Sequence, residues 1–310
     1  MKQIASLPSH TGNQTSAAQA MLAAMAIIGV TDNAVPLMAE TLGLGQFYVL
    51  RTLVALPILW AMSKMGFGSM MPRRFGAVTL RALLVATSMV FYFSAVALMP
   101  IAQALAGLFT SPIIIVVVSV LFMRLRIGMV RIAAVIGGFV GVLFVLQPDV
   151  TAFDWMILLP VAGGVFYALG SIVTGTMCKE ESTVSMLFIY LLAQGLIGGL
   201  LLVGVEIWPL PVEQGADGFV TRGWVWPLWE MSHLILLQGF AAVGGVFLIT
   251  KAYQLGEASF VAVFEYSVLL VGPAIAWLVY GQVLNFAQMM GIALIVLAGS
   301  TLALRSSKGA

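Results

Sequence analysis

The sequence predicts an all-α membrane protein of about ten transmembrane helices, arranged as two inverted five-helix repeats. Three observations lead there. Of 310 residues, 61% are hydrophobic and 8% are charged, with a mean hydropathy of +1.08, more apolar than a soluble core of this size requires. Apolar runs near 20 residues, enough to cross about 30 Å of hydrocarbon, recur along the chain. These runs are continuously apolar, whereas barrel strands are about ten residues long and alternate in polarity, so helices are the expected spanning element.

Met1 to Ser16 are polar and lack the apolar stretch of a cleavable signal peptide, so residues 1–17 are expected to form a short cytoplasmic tail. The first repeat, residues 18–148, holds spans at Ala18–Met38, Leu44–Met62, Leu80–Met99, Ala102–Met123 and Val130–Leu146. The second, residues 153–304, holds Trp155–Met177, Val184–Ile207, His233–Thr250, Ala258–Tyr280 and Phe286–Leu304, and residues 305–310 form a cytoplasmic C-terminal tail. Most connections are short, which makes neighbouring helices antiparallel. The exception is Trp208–Glu230, a loop with Pro209, Pro211, Gly215, Gly218 and four tryptophans that suits either an interfacial aromatic belt or a surface-lying or re-entrant segment.

Orientation follows from the basic residues. With the N-terminus cytoplasmic, Lys2, Lys64, Arg73, Arg74, Arg81, Arg124, Arg126, Arg131, Lys179, Lys251, Arg305 and Lys308 fall at or near the cytoplasmic face, twelve of the fourteen. Only Arg51, within a span, and Arg222, outside, do not. An even number of spans with both termini inside is the consequence. Shifting the chain by 156 positions lays Ala102 on Ala258, Ala106 on Ala262 and Ser111 on Ser267, which sets the fourth span on the ninth. A five-helix repeat must start its second copy on the other side of the membrane, giving an inverted pair with a cavity near the midplane.

Several functions are disfavoured by composition. A net charge of +2 and aromatics not interleaved with basic clusters argue against a nucleic-acid partner. The single cysteine, Cys178, and two histidines, His10 and His233, leave no set with metal-ligand spacing, and no H-E-x-x-H or Ser/His dyad is evident. The glycines Gly137, Gly138, Gly141, Gly163, Gly164, Gly195, Gly198, Gly199, Gly244 and Gly245 read as helix-packing surfaces and not as a phosphate loop. Neither an enzyme nor a cofactor is expected.

The candidate site starts from three charges inside apolar runs, Asp32, Arg51 and Glu265, each costing about 2.5–3.5 kcal/mol on translocon-type scales. Asp32 and Arg51 reach the outer half of the membrane from opposite directions, so they either form a structural ion pair or contact a charged part of a substrate, with Asn33 adding a neutral donor and acceptor. Glu265 has no basic residue at helical spacing, although Lys251 or Arg81 on other spans offers an interhelical partner. A carboxyl there holds a proton near neutral pH, which suits proton coupling or recognition of a cationic group. Ser88, Tyr92, Gln103, Thr110, Ser111, Tyr167, Ser171, Tyr266 and Ser267 are candidates to line the same cavity, with Ser88/Tyr92 and Tyr167/Ser171 four residues apart on one face. Interhelical hydrogen bonding is the plainer role for each of these. Pro36, Pro57, Pro112 and Pro273 lie within spans, as packing kinks or as hinges.

In its order of motifs the chain resembles the drug/metabolite transporter superfamily, in its ten-helix EamA-type branch. The resemblance covers nearly the whole chain and rests on FYVLRTLVALPIL, FYFSAVALMPIAQALAGLFTSPIIIVVVSVLF, GGFVGVLFVLQPD, AYQLGEASFVAVFEYSVLL and GIALIVLAG. It implies two inverted repeats and secondary transport of a small organic solute across a bacterial inner membrane by alternating access, with membrane lipid and protons as further partners. Members often carry Gly-Glu at the ends of the fourth and ninth helices; here Leu125-Arg126 and Gly281-Gln282 stand there, so no role passes to those acids. Since acids outnumber bases among the deep residues, a cationic or zwitterionic metabolite, such as an amino acid or S-adenosylmethionine-like solute, is the expected substrate. A non-transporting scaffold subunit or an intramembrane enzyme is the alternative. The scaffold would not require Asp32 and Glu265 in the bilayer.

Overall fold

The computed structural model describes residues 10–99, 101–148, 155–271, 274 and 284–308. The expectations that involve Pro273, Gly281, Gln282 and the second half of the ninth span lie outside the described residues. Every regular element among the described residues is helical: α1 His10–Thr31, α2 Ala34–Ala39, α3 Leu44–Lys64, α4 Phe75–Leu98, α5 Ile101–Leu108, α6 Ser111–Leu121, α7 Met129–Leu146, α8 Leu158–Thr176, α9 Thr183–Ile207, α10 Ser232–Leu255, α11 Ala258–Val261 and α12 Phe286–Lys308, with three short 3₁₀ turns. Among the described residues, nine helical stretches are long and apolar enough to cross a membrane, and Ala258–Val271 is a shorter apolar helix within the ninth span. Large apolar side chains such as Leu53, Trp60, Leu121, Phe122, Leu196, Leu200, Phe240 and Leu297 point outward, as a lipid-facing surface requires.

Several boundaries differ from expectation. Residues 10–17, read as tail, extend α1, and Ala17 is fully buried. Helix α4 begins at Phe75 and not Leu80, because the Glu181 carboxylate accepts the backbone N–H groups of Arg73 at 2.9 Å and Arg74 at 2.6 Å and so fixes the start of the helix. This moves Arg81 from the membrane edge to nearly two turns inside the helix. The first and fourth spans are each broken in two. Pro36 has no N–H for the Asp32 carbonyl, which bonds the N–H of Val35 at 3.1 Å instead, and the carbonyl of Thr31 accepts from Gln238 Nε2 at 2.8 Å. Pro112 interrupts the fourth span in the same way at Phe109–Thr110. The ninth span tightens to a 3₁₀ turn over Ala262–Ser267.

The four most extensive helix pairings are α1 with α10, α4 with α8, α3 with α9, and α7 with α12. Numbered as spans these are 1 with 8, 3 with 6, 2 with 7, and 5 with 10. Exchanging the first five spans for the last five turns the first pairing into the second and leaves the other two unchanged. Both self-exchanging pairs are glycine seams. A Cβ on Gly45 would lie 2.8 Å from the Gly198 carbonyl oxygen, and one on Gly198 would lie 2.7 Å from that of Gly45; for Gly141 and Gly291 the distances are 2.8 and 2.6 Å. Such backbone contact is open only to glycine. Gly137 and Gly199 have nothing within 4 Å and are not packing positions, because they lie on the outer sides of their helices.

The Trp208–Glu230 connection folds over one end of the bundle. Phe219 is fully buried, 6.2 Å from the ring of Phe47, whereas Trp208, Trp224, Trp226 and Trp229 are exposed. Arg222 donates to the carbonyls of Ala39 at 2.8 Å, Leu42 at 3.0 Å and Gly215 at 2.6 Å, tying the loop to the end of α2. Gln46 adds a two-way pairing with the backbone of Val225, at 2.9 and 3.1 Å.

Candidate functional site

The interruptions of the first, fourth and ninth spans converge on one internal cavity of about 140 Å³, to which α1, α3, α4, α5, α6, α8, α9, α10 and the 3₁₀ turn contribute. Of the residues singled out by sequence, Asp32, Arg51, Tyr92, Ser111, Tyr167, Ser171 and Glu265 line it. On α8, Tyr167, Ser171 and Thr174 follow one another at helical spacing along a single cavity face.

Glu265 is 3% exposed, and its carboxylate faces α8 and α10. Oε1 accepts from the Tyr167 hydroxyl at 2.9 Å and from the Tyr253 hydroxyl at 2.5 Å. Neither Lys251 nor Arg81 pairs with it; Lys251 is exposed, and the salt bridge found among the described residues is Arg131–Glu257 at 2.5 Å. Charged hydrogen bonds of this kind are about twice as strong as neutral ones, so the two tyrosines hold the carboxyl in place through Oε1.

Asp32 and Arg51 share the cavity but form no ion pair. Asp32 stands in the turn between α1 and α2, where the helix break directs it, and its carboxylate makes no hydrogen bond with the described residues. The guanidinium carbon of Arg51 lies 5.9 Å from the Phe47 ring centroid, and its Nε is buried without a partner. Both charges therefore remain open to a ligand.

The other expected residues face elsewhere. Asn33 Nδ2 donates to the Gly29 carbonyl at 2.7 Å, Thr110 Oγ1 to Gly107 at 2.7 Å and Ser267 Oγ to Phe264 at 2.6 Å. Short polar side chains in a helix turn back on carbonyls three or four residues earlier, and these three do so. Tyr266 packs against Gly138 and Phe109, with its hydroxyl 3.5 Å from the Val135 carbonyl. Ser88 is fully buried and does not line the cavity, although it shares the side of α4 that carries Tyr92. Gln103 lies on α5 outside the lining.

Sequence reasoning missed Arg81, Thr174, Tyr190 and Tyr253. Arg81 Nε donates to Thr174 Oγ1 at 3.2 Å and Nη2 to Thr250 Oγ1 at 2.9 Å, and its guanidinium carbon lies 5.7 Å from the Tyr190 ring centroid. Its presence makes the cavity charges two acids and two bases, which removes the excess of acid that favoured a cation. Tyr92, Phe93, Phe109, Tyr167, Tyr190 and Tyr253 give the wall an aromatic surface, and Met25 and Met89 lie among them. At the end of the bundle away from the Trp208–Glu230 loop, a larger cleft of about 580 Å³ opens between Asn13, Ser119, Thr176 and Gln254–Ala258. Ile172 lines the cleft and its neighbour Ser171 the cavity, so adjacent positions on α8 face the two.

Residues 154–304 match the model of the EamA-like transporter family. The chain is similar to a riboflavin transporter of Vibrio cholerae, 31% identical over 74% of this chain and 72% of the relative. It is also similar to a riboflavin transporter of Rhizobium johnstonii, at 29% over 70% and 67%, and to an S-adenosylmethionine uptake transporter of Rickettsia bellii, at 23% over 70% and 68%. A solved crystal structure shares the fold with a TM-score of 0.68 at 18% identity, over 98% of this chain and 99% of that one.

Proposed function

The chain belongs to the EamA-like transporter family and is a multi-pass membrane transporter of a small molecule, and we propose that its substrate carries a flat heteroaromatic ring with a polar edge. The observation that carries this reading is the cavity wall, in which six aromatic rings and two methionines surround Asp32, Arg51, Arg81 and Glu265. Rings stack on such a surface while the charges select a polar rim. Riboflavin, named for two of the relatives above, has this form. S-adenosylmethionine, named for another, is the second reading: it too carries a flat ring, and its positive charge is favoured by the Asp32 and Glu265 carboxylates in the cavity wall.

The proposed mechanism is secondary transport by alternating access between inverted repeats 18–148 and 153–304. Support comes from the exchange symmetry of the helix pairings and from breaks at 109–110 and 262–267 that superimpose under the 156-residue shift. Glu265 is the proposed proton-coupling group, since its carboxyl is fixed by two hydroxyls at the wall of the proposed substrate cavity. A location in the bacterial inner membrane with cytoplasmic termini follows from the distribution of Lys and Arg, and the 580 Å³ cleft then opens on the cytoplasmic side.

Titration of riboflavin fluorescence with purified protein in detergent, repeated with S-adenosylmethionine as competitor, tests the substrate class. Saturable quenching supports it. Folded protein that binds neither compound overturns it.

A further inference from the structure

Arg81 is 3% exposed and lines the cavity from nearly two turns inside α4. Two of its nitrogens are held in a fixed direction. Thr174 and Thr250 spend their own hydroxyl protons on the carbonyls of Gly170 at 2.8 Å and Val246 at 2.7 Å, so each presents a lone pair to the guanidinium. The third nitrogen, Nη1, is buried without a partner among the described residues, none of whose carboxylates lies within ion-pair distance. An arginine serving only to join α4, α8 and α10 would have its donors paired, because a buried charged donor left unmade is expensive. Here the threonines orient the fork, the face of Tyr190 lies 5.7 Å away, and the N–H donors of Nη1 are left over.

We propose that Arg81 is a substrate-binding residue, whose Nη1 donates to a carbonyl or carboxylate oxygen on the edge of the transported ring compound. The assignment rests on the ring-binding reading given above and adds the group that selects for an acceptor. It accounts for a permanently charged residue beside an aromatic cavity and for the two threonines that leave their lone pairs to it. Ring stacking alone does not distinguish carbonyl-bearing rings from plain ones; a fixed guanidinium does.

The test compares two tricyclic ligands of similar shape: lumiflavin, which has ring carbonyls, and phenazine, which has none. Lumiflavin binding is read by fluorescence quenching and phenazine by its displacement of lumiflavin, for wild type, Arg81→Gln and Arg81→Lys. Losing a hydrogen bond to a charged donor weakens lumiflavin binding by about tenfold or more in Arg81→Gln. Phenazine binding changes little, so the preference for lumiflavin falls by about the same factor. Arg81→Lys, which keeps the charge but loses the planar fork, gives a smaller fall. An unchanged ratio in whichever variant folds, whether both ligands weaken together or neither does, overturns the Arg81 assignment while leaving the ring-binding reading intact. Failure of wild type to bind lumiflavin overturns that reading, and the assignment with it.

Discussion

Glu265→Gln separates the coupling role of the carboxyl from its structural one. The glutamine carbonyl oxygen can take the place of Oε1 and accept both tyrosine hydroxyls, now 2.9 and 2.5 Å from the carboxylate, while its amide nitrogen takes the place of Oε2. Two hydrogen bonds to a charged group, roughly 1.5–3 kcal/mol each, become two neutral ones of roughly 0.5–1.5 kcal/mol. That loss of about 2–3 kcal/mol is offset by no longer holding an ion in a buried site, so the net change in stability is expected to stay within about 2 kcal/mol. Transport behaves differently, because an amide cannot exchange a proton at physiological pH. In proteoliposomes, net uptake driven by a pH gradient should fall at least about tenfold, and exchange of internal for external substrate, which needs no net proton movement, should persist. Net uptake equal to wild type at every pH, from a variant with wild-type melting behaviour, would refute the reasoning.

The glycine seams give a stability prediction with an internal control. Gly141→Ala places a methyl group 2.8 Å from the Gly291 carbonyl oxygen and 2.9 Å from Ile295 Cγ1, so α7 and α12 must separate, at a cost of about 1–3 kcal/mol. Gly137→Ala, one turn earlier with nothing within 4 Å, should be neutral or stabilising by up to about 1 kcal/mol from helix propensity. Thermal melting in detergent compares the two, and equal melting temperatures contradict the seam. Arg222→Ala removes the donors to Ala39, Leu42 and Gly215, and limited proteolysis within residues 208–230 should become several-fold faster, as a lowered local opening energy of about 1–3 kcal/mol requires. An unchanged cleavage rate would show that Phe219 and Gln46 hold the loop alone. Burial also shifts the Arg222 guanidinium downward from its ordinary range through desolvation, yet its carbonyl contacts need the protonated form, so no loss of loop order is expected on acidification.

The membrane spans were legible because hydrocarbon thickness sets their length directly, and Asp32, Arg51 and Glu265 were legible because charge is conspicuous in apolar sequence. The helix breaks were only half legible: Pro36 and Pro112 announced a disturbance, but the Gln238 contact that takes up the Thr31 carbonyl comes from 207 residues away. Arg81 was misplaced because the start of α4 depends on Glu181, a contact between distant segments that no local pattern encodes. Tyr253 and Tyr190 sit in runs where a tyrosine reads as ordinary core, and only the fold shows that one reaches Glu265 and the other Arg81. Thr110 and Ser267 illustrate the converse. A polar residue in an apolar helix marks a group that must be satisfied, and a carbonyl in the preceding turn satisfies Thr110 and Ser267 without any cavity.

Uptake of riboflavin into liposomes containing the purified protein, measured with and without an imposed pH gradient, tests the central claim most directly. The cavity chemistry predicts saturable, protein-dependent accumulation whose rate responds to the gradient in wild type and not in Glu265→Gln. Accumulation no greater than in empty liposomes, under both conditions and with S-adenosylmethionine as well, would contradict it.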